Sequence, residues 1–189
     1  KDEAKVGDLE LQSYSADMPA LCADAGEPDT LLFAGLGSKY CRGVIALTNG
    51  NYVVGSEKWN LPGPPAIATA GAATWCNGAT GAKGPVTTAN SLVGSTANDL
   101  VGSTLQALPN GNYLIRTTSW DNGAVADVGA FTWANGTTGI KGVVSTLNSL
   151  VGTTAVDKVG QSAHVLSDNF YLARSASWDQ TNPATTDSG

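Results

Sequence analysis

The sequence predicts an all-β protein made of tandem four-stranded antiparallel units, like the blades of a β-propeller, with an incomplete final unit. Three observations carry this expectation. A phrase recurs almost unchanged at a 58-residue spacing, the signature of a repeat architecture. Within each copy, short apolar runs are separated by turn residues. Glycine occurs 23 times and no window shows a helical apolar stripe. A β-solenoid is the alternative, but its coils are usually shorter, so one repeat would have to span two or more.

The repeat shows most clearly in its aromatic residues. Tyr52, Tyr113 and Tyr171 correspond, and Trp59, Trp120 and Trp178 each follow seven residues later. Trp75 and Trp133 form a further pair. The step from Trp59 to Trp120 is longer because Leu61-Pro-Gly-Pro-Pro65 carries extra residues, which belong in a surface loop. Asn90-Ser-Leu-Val-Gly94 recurs as Asn148-Ser-Leu-Val-Gly152, and Asp99 recurs as Asp157. These matches divide the chain into a non-repeat segment, 1–42, two units, 43–102 and 103–160, and a partial third, 161–189.

In the second unit the candidate strands are Tyr113 to Trp120, Val128 to Trp133, Val144 to Val151 and Asp157 to Leu166. Tyr113, Ile115 and Thr117 alternate with Leu114 and Arg116, as a half-buried strand requires. Asn110-Gly111, Asn122-Gly123 and Asn135-Gly136 suggest tight turns with both central residues at positive φ. The third unit stops before its second strand, which would leave an edge open to pairing. Two and a half blades also do not close a ring of about four to eight. The expectation is a chain that continues beyond Gly189, or a second subunit that completes the sheet.

Eight of the 16 acids lie in residues 1–42, where Leu9, Leu11 and Tyr14, or Leu31 to Leu36, could add a strand. The chain starts at Lys1 without a Met or a signal-peptide pattern, as either a processed mature terminus or the cut end of a fragment would. Cys22, Cys41 and Cys76 allow one disulfide, and the sequence does not choose among the three pairings. Cys22 with Cys41 is preferred, closing a loop of about 20 residues worth about 3 kcal/mol. Cys41 with Cys76 would instead pin the segment to the first unit, and three buried free thiols are the remaining alternative. No paired-cysteine spacing or histidine cluster suggests a metal.

Apolar content is 42% and charged content only 14%, with Thr, Ser, Asn and Gly supplying polar surface. The net charge of −6 and the lack of a basic face argue against a nucleic-acid partner. No apolar run of about 20 residues is present to span a bilayer.

The only histidine, His164, sits among Val and Leu of a candidate strand without a nucleophile signature and reads as a strand-surface residue. Asp121, Asn122 and Asp127 could hold calcium, although turn capping by their side chains explains them as well. Asp99 and Asp157 recur at one unit position, which favours a turn role over catalysis. Arg116 and Arg174 could pair locally or reach a ligand. Tyr52, Trp59, Trp75, Tyr113, Trp120, Trp133, Tyr171 and Trp178 are expected to be core wedges between units, or else sugar-stacking platforms.

Over residues 43 to 189, the phrases N-G-N-Y-L-I-R-T-T-S-W-D-N-G and N-S-L-V-G-T-T-A-V-D-K-V-G resemble a tandem repeat of very large bacterial surface proteins, the filamentous-haemagglutinin-like and autotransporter-like adhesins. The resemblance implies an extracellular or cell-surface location and a structural or adhesive role. A non-catalytic repeat protein, self-associating or part of a larger chain and without a cofactor beyond the candidate calcium, is therefore the leading expectation. A carbohydrate-binding propeller lectin, with glycans as partners, is the alternative.

Overall fold

A strand that meets apolar neighbours on both sides carries apolar residues at consecutive positions, as Tyr52-Val53-Val54 and Tyr113-Leu114-Ile115 do. The computed structural model describes residues 43–167, 169–181 and 184–185. Cys22, Cys41 and the candidate strands before residue 43 lie outside them. The fold is all-β, with repeated antiparallel sheets and no helix among the described residues.

Sheet one contains β1 (Gly43–Ala46), β2 (Tyr52–Ser56), β3 (Ala72–Cys76) and β4 (Ser91–Val93), each antiparallel to the next. Sheet two repeats this with β5 (Thr104–Ala107), β6 (Tyr113–Thr117) and β7 (Ala130–Ala134), followed by β8 (Gly142–Val143) and β9 (Leu150–Val151). β9 takes the place of β4 beside β7. β8 instead crosses to sheet one and pairs parallel with β4, Leu92 opposite Gly142 and Val93 opposite Val143. The third unit contributes the hairpin of β10 (Ser162–Ser167) and β11 (Phe170–Arg174), then β12 (Gln180–Thr181) paired with β13 (Ala184–Thr185).

The fifth strand of sheet one was not legible in the sequence. The run from Val144 to Val151 was expected to be one strand of its own unit. The chain instead turns between Val144 and Leu150, where Asn148 Oδ1 accepts from the Ser145 amide and Asn148 Nδ2 donates to the Val143 carbonyl. Asn90 makes the same bonds to Thr87 and Pro85.

The sheets pack face to face, and their central strands β2 and β6 are buried on both sides. Val53, Ala73 and Leu92 of sheet one share a core with Tyr113, Ile115 and Trp120 of the second unit. Tyr52, Val54 and Trp59 pack into a separate cluster on the other face of sheet one. On sheet two, Leu114 and Phe131 join Val165 and Tyr171 of the third unit. The half-buried reading of β6 is thus corrected: Leu114 is as fully buried as Ile115. The extra Leu61–Pro65 residues do lie in an exposed loop, closed by bonds between Leu61 and Ile67.

The Asn-Gly turns also differ from expectation. Leu108 pairs with Asn112 across a three-residue loop, and only Gly111 takes positive φ. This is a type I turn followed by a left-handed residue, in which Asn110 caps the Asn112 amide through Oδ1.

A second loop repeats in both units with left-handed residues at matching places. Asn98 (φ 68) and Val156 (φ 70) each donate a backbone N–H to the preceding loop, at Ala68 and Ala126. A β-branched side chain is strained there, whereas asparagine tolerates the conformation. Val156 is 51% exposed, so little packing is lost by changing it. The variant Val156→Asn is therefore expected to gain about 0.5–1 kcal/mol. A rise in the urea midpoint at unchanged slope checks it.

Candidate functional site: the seam between units

The repeated polar residues converge on the seams where one unit meets the next. Asp99 is fully buried. Its Oδ2 accepts from the backbone amides of Ser95 (2.7 Å) and Thr96 (2.8 Å), fixing its own turn. Its Oδ1 accepts from the Asp121 amide of the next unit at 3.0 Å. Asp157 repeats the arrangement, with Oδ2 on Thr153 and Thr154 and Oδ1 on the Asp179 amide of the third unit. The turn role read from the sequence is present, and a cross-unit bond is added that only the fold supplies.

A second seam site centres on the Gly136 carbonyl. Three donors of the first unit reach it: Asn49 Nδ2 at 2.8 Å, Asn51 Nδ2 at 2.9 Å and Trp75 Nε1 at 2.9 Å. Gly136 lies in an Asn-Gly-Thr-Thr-Gly turn in which Asn135 Oδ1 caps the amides of Thr137 and Thr138. The turn lays Gly139 against the indole. A methyl group added to Gly139 would stand 2.6 Å from Trp75 Cβ, so only glycine permits the contact. The signal for this site was in the sequence, as the repeated Asn49-Gly-Asn51 and Asn110-Gly-Asn112, of which only Asn110-Gly111 is read there, and that as a turn.

Arg116 and its counterparts depart from strict repetition for a visible reason. Arg116 donates from Nη1 to the carbonyls of Gly160 (3.2 Å) and Gln161 (2.8 Å). In the first unit Gly55 takes its place, and a side chain there would overlap the Gly102 carbonyl. One seam closes by contact and the next by a guanidinium. Burial pulls the Arg116 pKa down.

The aromatic residues divide into two groups. Tyr52, Trp59, Tyr113 and Trp120 are buried; Tyr113 and Trp120 pack across the first seam, as wedges between units would, whereas Tyr52 and Trp59 pack with residues of their own unit. Burial pushes the Tyr113 hydroxyl far above the usual phenol range, so it keeps its proton. Tyr171 stacks on Phe131 across the second seam, with centroids 5.7 Å apart. Trp75 is half-buried under the Gly136–Gly139 turn, while Trp178 and Trp133 are more exposed, Trp133 at 43%.

Asp121, Asn122 and Asp127 form a turn: Asp121 Oδ1 accepts from the Asp127 amide at 2.7 Å, and Asn122 pairs with Val125. Asn60 Oδ1 makes the same bond to the Thr69 amide without a carboxylate. Among the described residues, no group of three or more His, Cys, Asp or Glu side chains comes together. Cys76 is buried, with Sγ 3.8 Å from the Thr74 carbonyl. His164 lies exposed on β10, and Arg174 is exposed on β11.

Asp99 makes this seam testable. Asp99→Ala leaves three amides without acceptors and is expected to cost roughly 3–5 kcal/mol by urea unfolding. Burial holds the Asp99 carboxyl above the usual range, against the pull of the amides it accepts from. The folded state therefore keeps this proton to higher pH than the unfolded chain. Its contribution to stability falls as pH rises from the ordinary carboxylate range through the raised folded value. The deficit of Asp99→Asn relative to wild type should accordingly shrink across that window, read from urea midpoints at successive pH values.

Among the described residues no helix is long and apolar enough to cross a membrane. A search of curated proteins and of solved structures found none significantly similar. A family model described as a repeat of unknown function, DUF5650, matches residues 46–103 and again 107–161, together more than half of the chain. The chain belongs to this family of tandem repeats.

Proposed function

We propose that this protein is a non-catalytic structural and adhesive repeat protein of the cell exterior, whose units stack to build an extended surface or filament. The observation that carries the reading is where the repeated polar side chains go. Asp99, Asp157, Asn49, Asn51 and Trp75 all bond to backbone of an adjoining unit. They are spent on joining copies. Low charge and a Thr-, Ser-, Asn- and Gly-rich surface fit an extracellular setting, and the likeness to filamentous-haemagglutinin-like and autotransporter-like adhesins supplies the role.

A lectin reading has one specific observation in its favour. Trp133 presents an exposed ring, and the amide side chains of Asn110 and Asn112 belong to the same seam position. An indole face beside amide donors is suited to a sugar ring.

The structural reading expects the native protein on the outside of intact cells and in assemblies larger than one chain. Protease shaving of whole cells, with sedimentation of the released material, checks both. A protein shielded in intact cells, or a single-chain particle at high concentration, would count against it.

A further inference from the structure

The first seam is complete in the structure, so it serves as a template for the second. On sheet one, β4 has β8 of the next unit along its outer edge, and the Val144 amide donates to the Val93 carbonyl at 3.0 Å. Leu92 is then 0% exposed and Trp75 lies under the Asn-Gly turn. On sheet two the same residues have the same setting within their own unit: Thr132 pairs with Ser149 at 2.6 Å as Thr74 does with Ser91 at 2.7 Å. Asn112 Oδ1 holds the Gly136 amide as Asn51 Oδ1 holds that of Gly78, both at 3.0 Å. Yet Leu150 is 60% exposed, and β9 forms the edge of its sheet.

The third unit already covers the remainder of sheet two in the register of the first seam. Asp179 donates to Asp157 as Asp121 donates to Asp99, and Tyr171 stacks on Phe131. The exposed remainder is therefore specific. It comprises the β9 edge with Leu150, and a three-donor socket of Asn110, Asn112 and Trp133 equivalent to the Asn49–Asn51–Trp75 socket that holds the Gly136 carbonyl. Among the described residues, Asn110 Nδ2 makes one long contact, 3.3 Å to Asn169 Oδ1.

We infer that the β9 edge and the Asn110–Asn112–Trp133 socket form a docking site for the second half of a further repeat. The occupant is a strand leading into an Asn-Gly-x-Thr-Gly turn, followed by a short parallel strand. Its glycine carbonyl receives the three donors, its last glycine lies on the Trp133 indole, and its parallel strand pairs with Leu150–Val151. The chemistry is that of β-strand addition, with main-chain bonds giving affinity and the indole socket giving register. This deepens the structural-repeat reading and rests on it.

The test is calorimetric titration of the protein with a synthetic peptide of its own residues 128–152. Saturable one-to-one binding is expected, with a shift of the Trp133 indole N–H signal. Trp133→Phe removes one donor and should weaken binding about fivefold. Leu150→Arg should abolish it, and both exposed-site variants should keep the wild-type melting temperature. A protein extended after Gly189 by a copy of residues 130–160 should protect Trp133 from iodide quenching. No binding at millimolar peptide together with unprotected Trp133 in the extended protein would overturn the inference, while leaving the surface location to its own test. Peptide binding indifferent to both variants would overturn it too. So would Trp133-dependent binding of a glycan without the peptide, which would assign the ring to sugar. Self-association abolished by Leu150→Arg, again without peptide binding, would assign the edge to a second copy.

Discussion

A β-sheet that is apolar on both faces cannot stand alone in water, and that constraint underlies the rest of this structure. Val53 and Val54 are consecutive, point to opposite faces of β2, and are both fully buried. Leu114 and Ile115 do the same on β6. Fully burying a leucine or isoleucine side chain contributes about 1.5–3 kcal/mol, so a sheet without a neighbour on one side forfeits that several times over. Val53, Leu114 and Ile115 are covered across a seam by an adjoining unit, as in other stacked-repeat proteins, whereas Val54 packs with Trp59, Val86 and Val93 of its own unit.

Apolar faces alone would let one sheet slide on the next, since hydrophobic burial has no direction. The seam bonds supply the direction. The Asp99 carboxylate spans its own turn and the Asp121 amide, and the Gly136 carbonyl accepts from three side chains of the preceding unit. A slip of one residue would leave these groups buried without partners, each at a cost comparable to a lost leucine contact. The buried polar groups therefore fix stacking register and the apolar groups supply the attraction.

Departures from perfect repetition show which parts of each residue matter. Asn60 and Asp121 make the same bond to the same loop position, so the turn needs an oxygen acceptor and not a charge. Gly55 and Arg116 close equivalent seams by opposite means, close approach in one and a guanidinium bridge in the other. Trp75 and Trp133 are alike in sequence and differ in cover: among the described residues, a following turn is laid on Trp75 alone.

The all-β class, the spacing of the units and the burial of Tyr52, Trp59, Tyr113 and Trp120 could be read from the chain, because duplication makes each copy a control for the other and short turn-bounded apolar runs leave few other structures; Trp133 and Trp178, expected in the core as well, are exposed. The turn role of Asp99 was legible for the same reason. The crossing of β8 to the preceding sheet was not, because Gly142 and Val143 look like any strand end and their partner lies some fifty residues earlier. Nor was the burial of Leu114 on the face opposite Ile115, since alternation describes one strand and not what stands on either side of it. The seam sites belong to the same class: local pattern specifies a turn or a strand, whereas the group that accepts its remaining hydrogen bond is chosen only when two units meet.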